Sequence, residues 1–180
     1  MKRIVLFLFL TCTLYVTVFA QQSFYVSAKG NDNNDGLSEA RSVMSLEEAY
    51  FRAMKGSIKK ITVIGTLNEN TESNSISNKY NAGSVFCLMN LGDTSQEITI
   101  TGKLGATSTD NAVLSAKGSA DAAVILVDSG VRVRFEHIEI SGGEGEYGSG
   151  ICIYKSINVT LGPGAVVRGN QSFGLHIAEV

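Results

Sequence analysis

The residues able to do chemistry are few and scattered. Asp32 and Asp35, with Asn31, Asn33 and Asn34, could offer oxygen ligands to calcium. Their spacing is not that of a helix-loop-helix calcium site, which needs a glutamate at the twelfth position of the loop. Turn formation alone accounts for so dense a run of Asp, Asn and Gly. Arg132, Arg134, Glu136 and Glu139 alternate with Val133, Phe135, Ile138 and Ile140, the pattern of a strand with a solvated face of mixed charge. Acting on an acidic polysaccharide by elimination would need a base near an α-proton and cations against the carboxylate. Lys155 and Arg168 lie in repeat units and could serve as such cations, but so could many surface pairs, and a solvated face is the expected reading. His137 and His176 are the two histidines, 39 positions apart, with no Asp-Ser or Cys-His pattern beside them to suggest nucleophilic catalysis. His137 interrupts the alternation between Phe135 and Ile138, which predicts a corner. Asp93, Asp110, Asp121 and Asp128 fall in turn-rich stretches and do not form a set. The residues therefore assign no catalytic group, no metal and no cofactor. Asn158-Val159-Thr160 and Asn170-Gln171-Ser172 match the glycosylation sequon, a match short enough to arise by chance.

Export is the strongest expectation. Lys2 and Arg3 precede an unbroken apolar run from Ile4 to Leu10, continued to Phe19 with weakly polar interruptions. Val18-Phe19-Ala20 then offers small side chains where a signal peptidase reads them, which predicts a signal peptide over 1–20 and a mature chain from Gln21. Thr11, Thr13 and Thr17 weaken a membrane anchor, which needs roughly 20 apolar residues. Cys12 follows Thr11 rather than the small residue usual in a lipoprotein signal. Cleavage removes one lysine and one arginine, leaving 13 basic against 17 acidic residues. A mildly acidic chain without a basic stripe lacks the charge that drives nucleic-acid binding, so no such partner is expected. After residue 20 nothing is long and apolar enough to span a bilayer. Cys87 and Cys152 remain in the mature chain; their spacing implies no framework, and two buried thiols are expected.

Positioning elements follow from periodicity. Phe24 to Ser27 predicts a strand, and Gly30 to Gly36 a turn. Ser45 with Glu48 forms a capping-box pattern, and Leu46, Ala49, Tyr50 and Ala53 share one helical face before Gly56 stops the helix. From residue 59 the period becomes two. Short strands are expected at Ile61–Ile64, Val85–Met89, Ile98–Thr101, Val113–Leu114, Val124–Val127 and Val131–Ile140. Ile151–Ile153, Ile157–Leu161, Val166–Val167 and Leu175–Ile177 continue the series. With 19 glycines, one proline and no second helical pattern, a βαβ arrangement is not expected.

A repeat organises these strands. Starts at Ile98, Val124, Ile151 and Leu175 lie 26, 27 and 24 positions apart, and Val131–Gly143 aligns with Ile157–Asn170 at an offset of 26 to 27. Such periods mark stacked repeats, here one β-helix coil per unit. A β-sandwich also suits many short strands, but its strands do not repeat in pairs at a fixed offset. The expected layout is all-β: a signal peptide over 1–20, a strand, turn and capping helix over 21–60, and coils of a parallel β-helix solenoid over 61–180. The last coil looks unfinished, with no polar cap after Leu175–Ala178. That predicts either a longer parent chain or edge-to-edge pairing with a partner or second copy.

Two stretches resemble known proteins. Tyr25-Val26-Ser27, Gly30-x-Asp32, Asp35-Gly36, Ser45-Leu46 and Ala49 resemble the opening of exported right-handed parallel β-helix proteins of the pectate-lyase-like superfamily. There a Tyr-Val strand, a Gly-x-Asp turn and a short helix cap the coil stack. Ser42 and Val43 stand where that family often has proline and an aromatic residue. Gly148-Ser149-Gly150-Ile151 and Val167-Arg168-Gly169-Asn170 are similar to the repeats of polymorphic outer-membrane and autotransporter-type surface proteins. Each likeness covers about 30 residues of motif and implies a fold more than a chemistry. What it implies is a secreted or cell-surface protein with a structural, adhesive or ligand-binding role, meeting extracellular carbohydrate or a host or matrix surface. The alternative is a carbohydrate-active enzyme, a polysaccharide lyase or hydrolase, with its site wholly or partly outside this chain.

Overall fold

A computed structural model describes residues 22–68, 84–89, 96–104, 112–118, 122–155 and 158–178. The expected signal peptide, and Asp93, Asp110 and Asp121, lie outside them. The described chain is mostly strand, arranged in three parallel sheets, with one α-helix. The first sheet joins β1 (Phe24–Ser27), β2 (Lys60–Ile64), β5 (Ile98–Gly102), β8 (Arg132–Glu136) and β11 (Asn158–Leu161). The second joins β3 (Thr66–Leu67), β6 (Ala112–Ser115), β9 (Ile138–Ser141) and β12 (Val166–Val167). The third joins β4 (Ser84–Met89), β7 (Ala123–Asp128), β10 (Ile151–Tyr154) and β13 (Leu175–Ala178). From β2 onward, each strand takes as partner the third strand further along the chain. Every pairing between named strands is parallel, whereas the sandwich alternative is built from antiparallel sheets.

Side-chain alternation then sorts each strand. Ile61, Ile100 and Phe135 lie in one register line of the first sheet, and Leu67, Leu114 and Ile140 in one of the second. Phe86, Ile125 and Ile151 form the equivalent line of the third. All nine are at most 3% exposed and belong to a single core cluster. Stacking like residues in register removes large apolar areas from water, roughly 1.5–3 kcal/mol for each such side chain.

The repeat is correct in its later part and wrong in its earlier part. Arg132 pairs with Asn158, 26 positions on, as the alignment of the two five-residue runs requires. Ile151 pairs with Ile125, one position away from the expected Val124. Ile98 is not equivalent to either: it lies opposite Val133 in the first sheet. The strand stacked on β7 is β4, with Phe86 opposite Ile125, 39 positions on. The spacing between stacked strands varies, 39 positions from Phe86 to Ile125 against 26 from Ile125 to Ile151, so a constant period fails there. Loop length is cheap to vary because closure entropy grows only slowly with it.

The helix α1 (Leu46–Lys55) starts as expected, with Ser45 Oγ accepting from the Glu48 amide at 3.0 Å. The return half of the capping box is not made. Glu48 instead accepts from Arg52 Nε at 2.7 Å, and the Ser45 amide donates to Asp32 Oδ1 at 2.8 Å. Asp32 also accepts from the Met44 amide at 2.8 Å, so one carboxylate from the turn holds two amides at the helix start. A negative charge there complements the helix dipole. Arg52 closes the arrangement by donating to the Asp32 and Asn34 carbonyls. Asp32→Ala is expected to lower stability by about 1–2 kcal/mol, the loss of a cap plus an orphaned amide. Asp32→Asn, which keeps an acceptor, is expected to lose less in chemical denaturation. Equal losses in the two variants would show that the cap is unimportant.

The face that α1 buries, Leu46, Ala49, Tyr50 and Ala53, joins the core cluster, and the helix packs against β1, β2 and β5 of the first sheet and β4 of the third. A short 3-10 turn at Glu39–Arg41 precedes it. At Gly30 a Cβ would lie 2.1 Å from the Val43 carbonyl oxygen, which explains glycine in the Gly-x-Asp turn.

Candidate interaction surface

The expected chemical residues are distributed over the outside of this frame. Asp32 is the helix clasp. Asp35 Oδ1 accepts from the Leu37 amide at 3.1 Å, and its other oxygen meets Arg41 at 3.1 Å. Asn31 Oδ1 accepts from the Asn33 amide, and Asn34 Nδ2 donates to the Ser42 carbonyl. These groups are consumed in shaping the turn. Among the described residues no group of three or more His, Cys, Asp or Glu side chains could hold a metal.

The outward face of the first sheet carries Lys60, Thr62, Thr99, Arg132, Arg134, Glu136, Asn158 and Thr160, with Thr101 on the same side but buried. Lys60, Thr99, Arg134 and Thr160 fall in one register line, and Thr62, Thr101 and Glu136 in the next. Arg134 Nε and Glu136 Oε1 pair at 2.6 Å along their own strand. On the second sheet Arg168 and Glu139 pair at 2.6 Å across neighbouring strands, and the arginine holds the Glu139 carboxyl below its ordinary range. Of the four charges read in that alternation, Arg134, Glu136 and Glu139 are ion-paired, on two different sheets, whereas the Arg132 Nε is buried without a hydrogen-bond partner. A cavity of about 10 Å³ lined by Tyr50, Lys59 and Arg132 has room for one water rather than a substrate.

Among the described residues neither histidine meets a nucleophile in a catalytic arrangement. His137 stands at the corner between β8 and β9 with φ 47°, and its amide donates to the Pro163 carbonyl at 2.9 Å. The turn at Gly162–Gly164 passes over it so closely that a Cβ on Gly164 would lie 2.5 Å from His137 Nδ1. His176 is in β13, in a different sheet, against the Phe173 ring at 5.4 Å. Lys155 follows β10 and Arg168 follows β12, so the two cations occupy different corners. Lys155 Nζ sits over the Tyr154 ring at 4.8 Å. Asp128 ends β7 and accepts from Ser129 Oγ at 2.9 Å. Asn170 is occupied: its Oδ1 accepts from the Gly143 amide at 2.9 Å, a bond between residues 27 positions apart. Asn158 is exposed on β11.

Both thiols are free; Cys87 is buried and Cys152 half-buried. Leu126 lies opposite both, in β7 between β4 and β10. Two strand spacings put their Cα atoms about 9.5 Å apart, beyond disulfide reach. Cys87 belongs to a group that the sequence does not reveal. Glu47, 3% exposed, turns its carboxylate inward from the first turn of α1 and accepts from the Cys87 amide at 3.2 Å. It stands on the side of β4 away from β7, and so satisfies an amide of the sheet's edge strand. In sequence, Glu47 is one more acidic residue in a first helical turn, where such residues are usually solvated.

Burial, then the Glu47 and Asp128 charges, push the Cys87 thiol up to about 12 from an ordinary 9.0. Burial first, then Cys87, also raises the Tyr50 hydroxyl well above its ordinary value. In both, the folded chain holds the proton more tightly than the unfolded chain. The resulting stability is complete below the unfolded-state values and is lost as pH rises through the folded ones. Stability is therefore expected to fall between about pH 9 and 12, and Cys87→Ala is expected to flatten that fall. Denaturant titrations across this range check it. An identical slope in the variant would remove Cys87 as a cause.

No protein-family model matches this chain, and no curated protein matches it. Among the described residues no helix is long and apolar enough to cross a membrane.

Proposed function

We propose that the chain is an exported protein of the right-handed parallel β-helix type, pectate-lyase-like in fold. Its role is structural and adhesive rather than catalytic, at the cell surface or in the medium. The observation that carries the fold reading is the pairing of each strand with the third one on, in three parallel sheets around one apolar interior. Stacked coils produce that pairing, with a helix packed against the sheets. The non-catalytic reading is supported by the use of the candidate groups. Asp32, Asp35, Asn170, Arg134, Glu136, Glu139 and Arg168 are engaged in turns, coil-to-coil bonds and ion pairs. The first sheet's outward face of threonine, arginine, lysine, glutamate and asparagine is suited to many weak polar contacts with extracellular carbohydrate or a host or matrix surface.

The test is to express the chain with its own leader in an exporting host, then map the product's N-terminus and assay it. A product beginning at Gln21 outside the cytoplasm is expected, binding immobilised polysaccharide or matrix protein without cleaving it. Retention with residues 1–20 attached would overturn export. Formation of unsaturated sugar ends from acidic polysaccharide with calcium present would overturn the non-catalytic role.

A further inference from the structure

Among the arginines of the described residues, Arg41, Arg52, Arg134 and Arg168 each meet a carboxylate within 3.1 Å. Arg132 meets none among those residues, and its Nε is buried with no hydrogen-bond partner. A buried cationic N–H without an acceptor is costlier than a neutral one. Its place in the sheet is informative. β2, β5 and β8 are parallel neighbours, so their starts share one edge of the first sheet. Arg132 begins β8, Gln96 lies just before β5, and Lys59 immediately precedes β2. These three line the cavity of about 10 Å³ together with Tyr50 of α1 and the apolar Ile98 and Val131. Lys59 Nζ donates to the Ala53 and Met54 carbonyls at the end of the helix, two of the three bonds an ammonium can give. Tyr50 is 2% exposed, and burial keeps its hydroxyl protonated, a donor. Among the described residues no carboxylate lines the cavity. Of the acids nearby, Glu136 foremost and then Glu97 favour the charged form of Arg134.

We propose that this cavity and its rim bind a sulfate-type oxyanion, with one oxygen seated in the cavity against the Arg132 guanidinium. A volume that fits one water fits one anionic oxygen and excludes a sugar ring, so the rest of the anion stays at the mouth. Donors brought from three strand starts and a helix suit a tetrahedral anion, which presents oxygens in several directions, better than a planar carboxylate. Charge-assisted bonds from a guanidinium are among the strong ones. The inference refines the binding role proposed above by naming its ligand chemistry, and it rests on that role only for the source of the anion, a sulfate ester on an extracellular glycan as against the free ion.

Calorimetric titration of the full exported chain with sodium sulfate, against sodium chloride at equal ionic strength, tests the site. Saturable sulfate binding is expected, weakened about tenfold or more in Arg132→Gln. Arg132→Lys keeps the charge but loses the fork, and a weakening of about threefold or more is expected. Arg41→Gln removes an arginine whose side chain is 64% exposed and outside the cavity lining, and binding is expected to stay within about twofold. Circular dichroism confirms the fold of each variant. An immobilised sulfated polysaccharide then separates the two sources. Capture that is lost in Arg132→Gln supports a glycan-borne ester. Sulfate binding without capture supports the free ion, and counts against the adhesive role while the anion site stands. Heat of binding no greater than with chloride, or equal affinity in wild type and Arg132→Gln, overturns the proposal.

Discussion

Phe135→Ala is expected to lower the free energy of unfolding by about 3–5 kcal/mol, because it empties a large site that cannot collapse. Phe135 is fully buried on β8, between Ile100 on one side and Leu161 on the other. Its ring fills the interior where three sheets converge, and in-register neighbours limit how far any one strand can move to fill the gap. Phe135→Leu keeps most of the volume and is expected to lose markedly less. Urea denaturation of the three proteins gives both values. A loss below about 1 kcal/mol for the alanine variant would mean that the β8 interior is not close-packed.

Gly102→Ala is the second large effect, and its origin is backbone contact rather than a cavity. A Cβ there would lie 2.0 Å from the His137 carbonyl oxygen and 2.9 Å from the Ala112 Cβ. Neither neighbour is the free end of a flexible side chain. Relief would require moving the corner that carries His137 from β8 into β9, and with it the Pro163 carbonyl bonded to its amide. The expected loss is about 3 kcal/mol or more, at the upper end of overpacking effects. Gly65→Ala provides the comparison. That glycine has φ +69° and nothing within 4 Å of a built Cβ, so only left-handed strain of about 1–2 kcal/mol is expected. If the two substitutions cost the same in thermal and chemical unfolding, the close approach at Gly102 is not what selects glycine.

The alkaline loss of stability at Cys87 and the clasp at Asp32 are smaller effects with a shared origin. Both concern how α1 is tied to the sheets, one through Glu47 and the β4 edge, the other through the turn before the helix. Disturbing either is expected to loosen the packing of α1 while leaving the later strand pairings intact.

By itself, the sequence determined what depends on neighbours along the chain. Alternation placed Val133 and Phe135 inside and Arg132 and Arg134 outside, because successive strand residues point to opposite faces. Helical spacing and Ser45 located α1, and the break at His137 located a corner. The 26-residue offset between β8 and β11 was legible because the same offset separates Ile125 and Ile151 in β7 and β10. Only the tertiary structure decided which strands stack when the connections differ. Ile98 joins Val133, not Val124, since register follows the burial of a whole face and not a constant count. The roles of Asp32 and Glu47 were decided there too. Their partners are backbone amides at Met44, Ser45 and Cys87, between 12 and 40 positions away. A backbone amide has the same chemistry at every residue, so no sequence pattern marks which one a carboxylate will meet. That choice is made by packing, which sets the helix against β1, β2, β4 and β5 and leaves the Glu47 carboxylate almost no water to turn to.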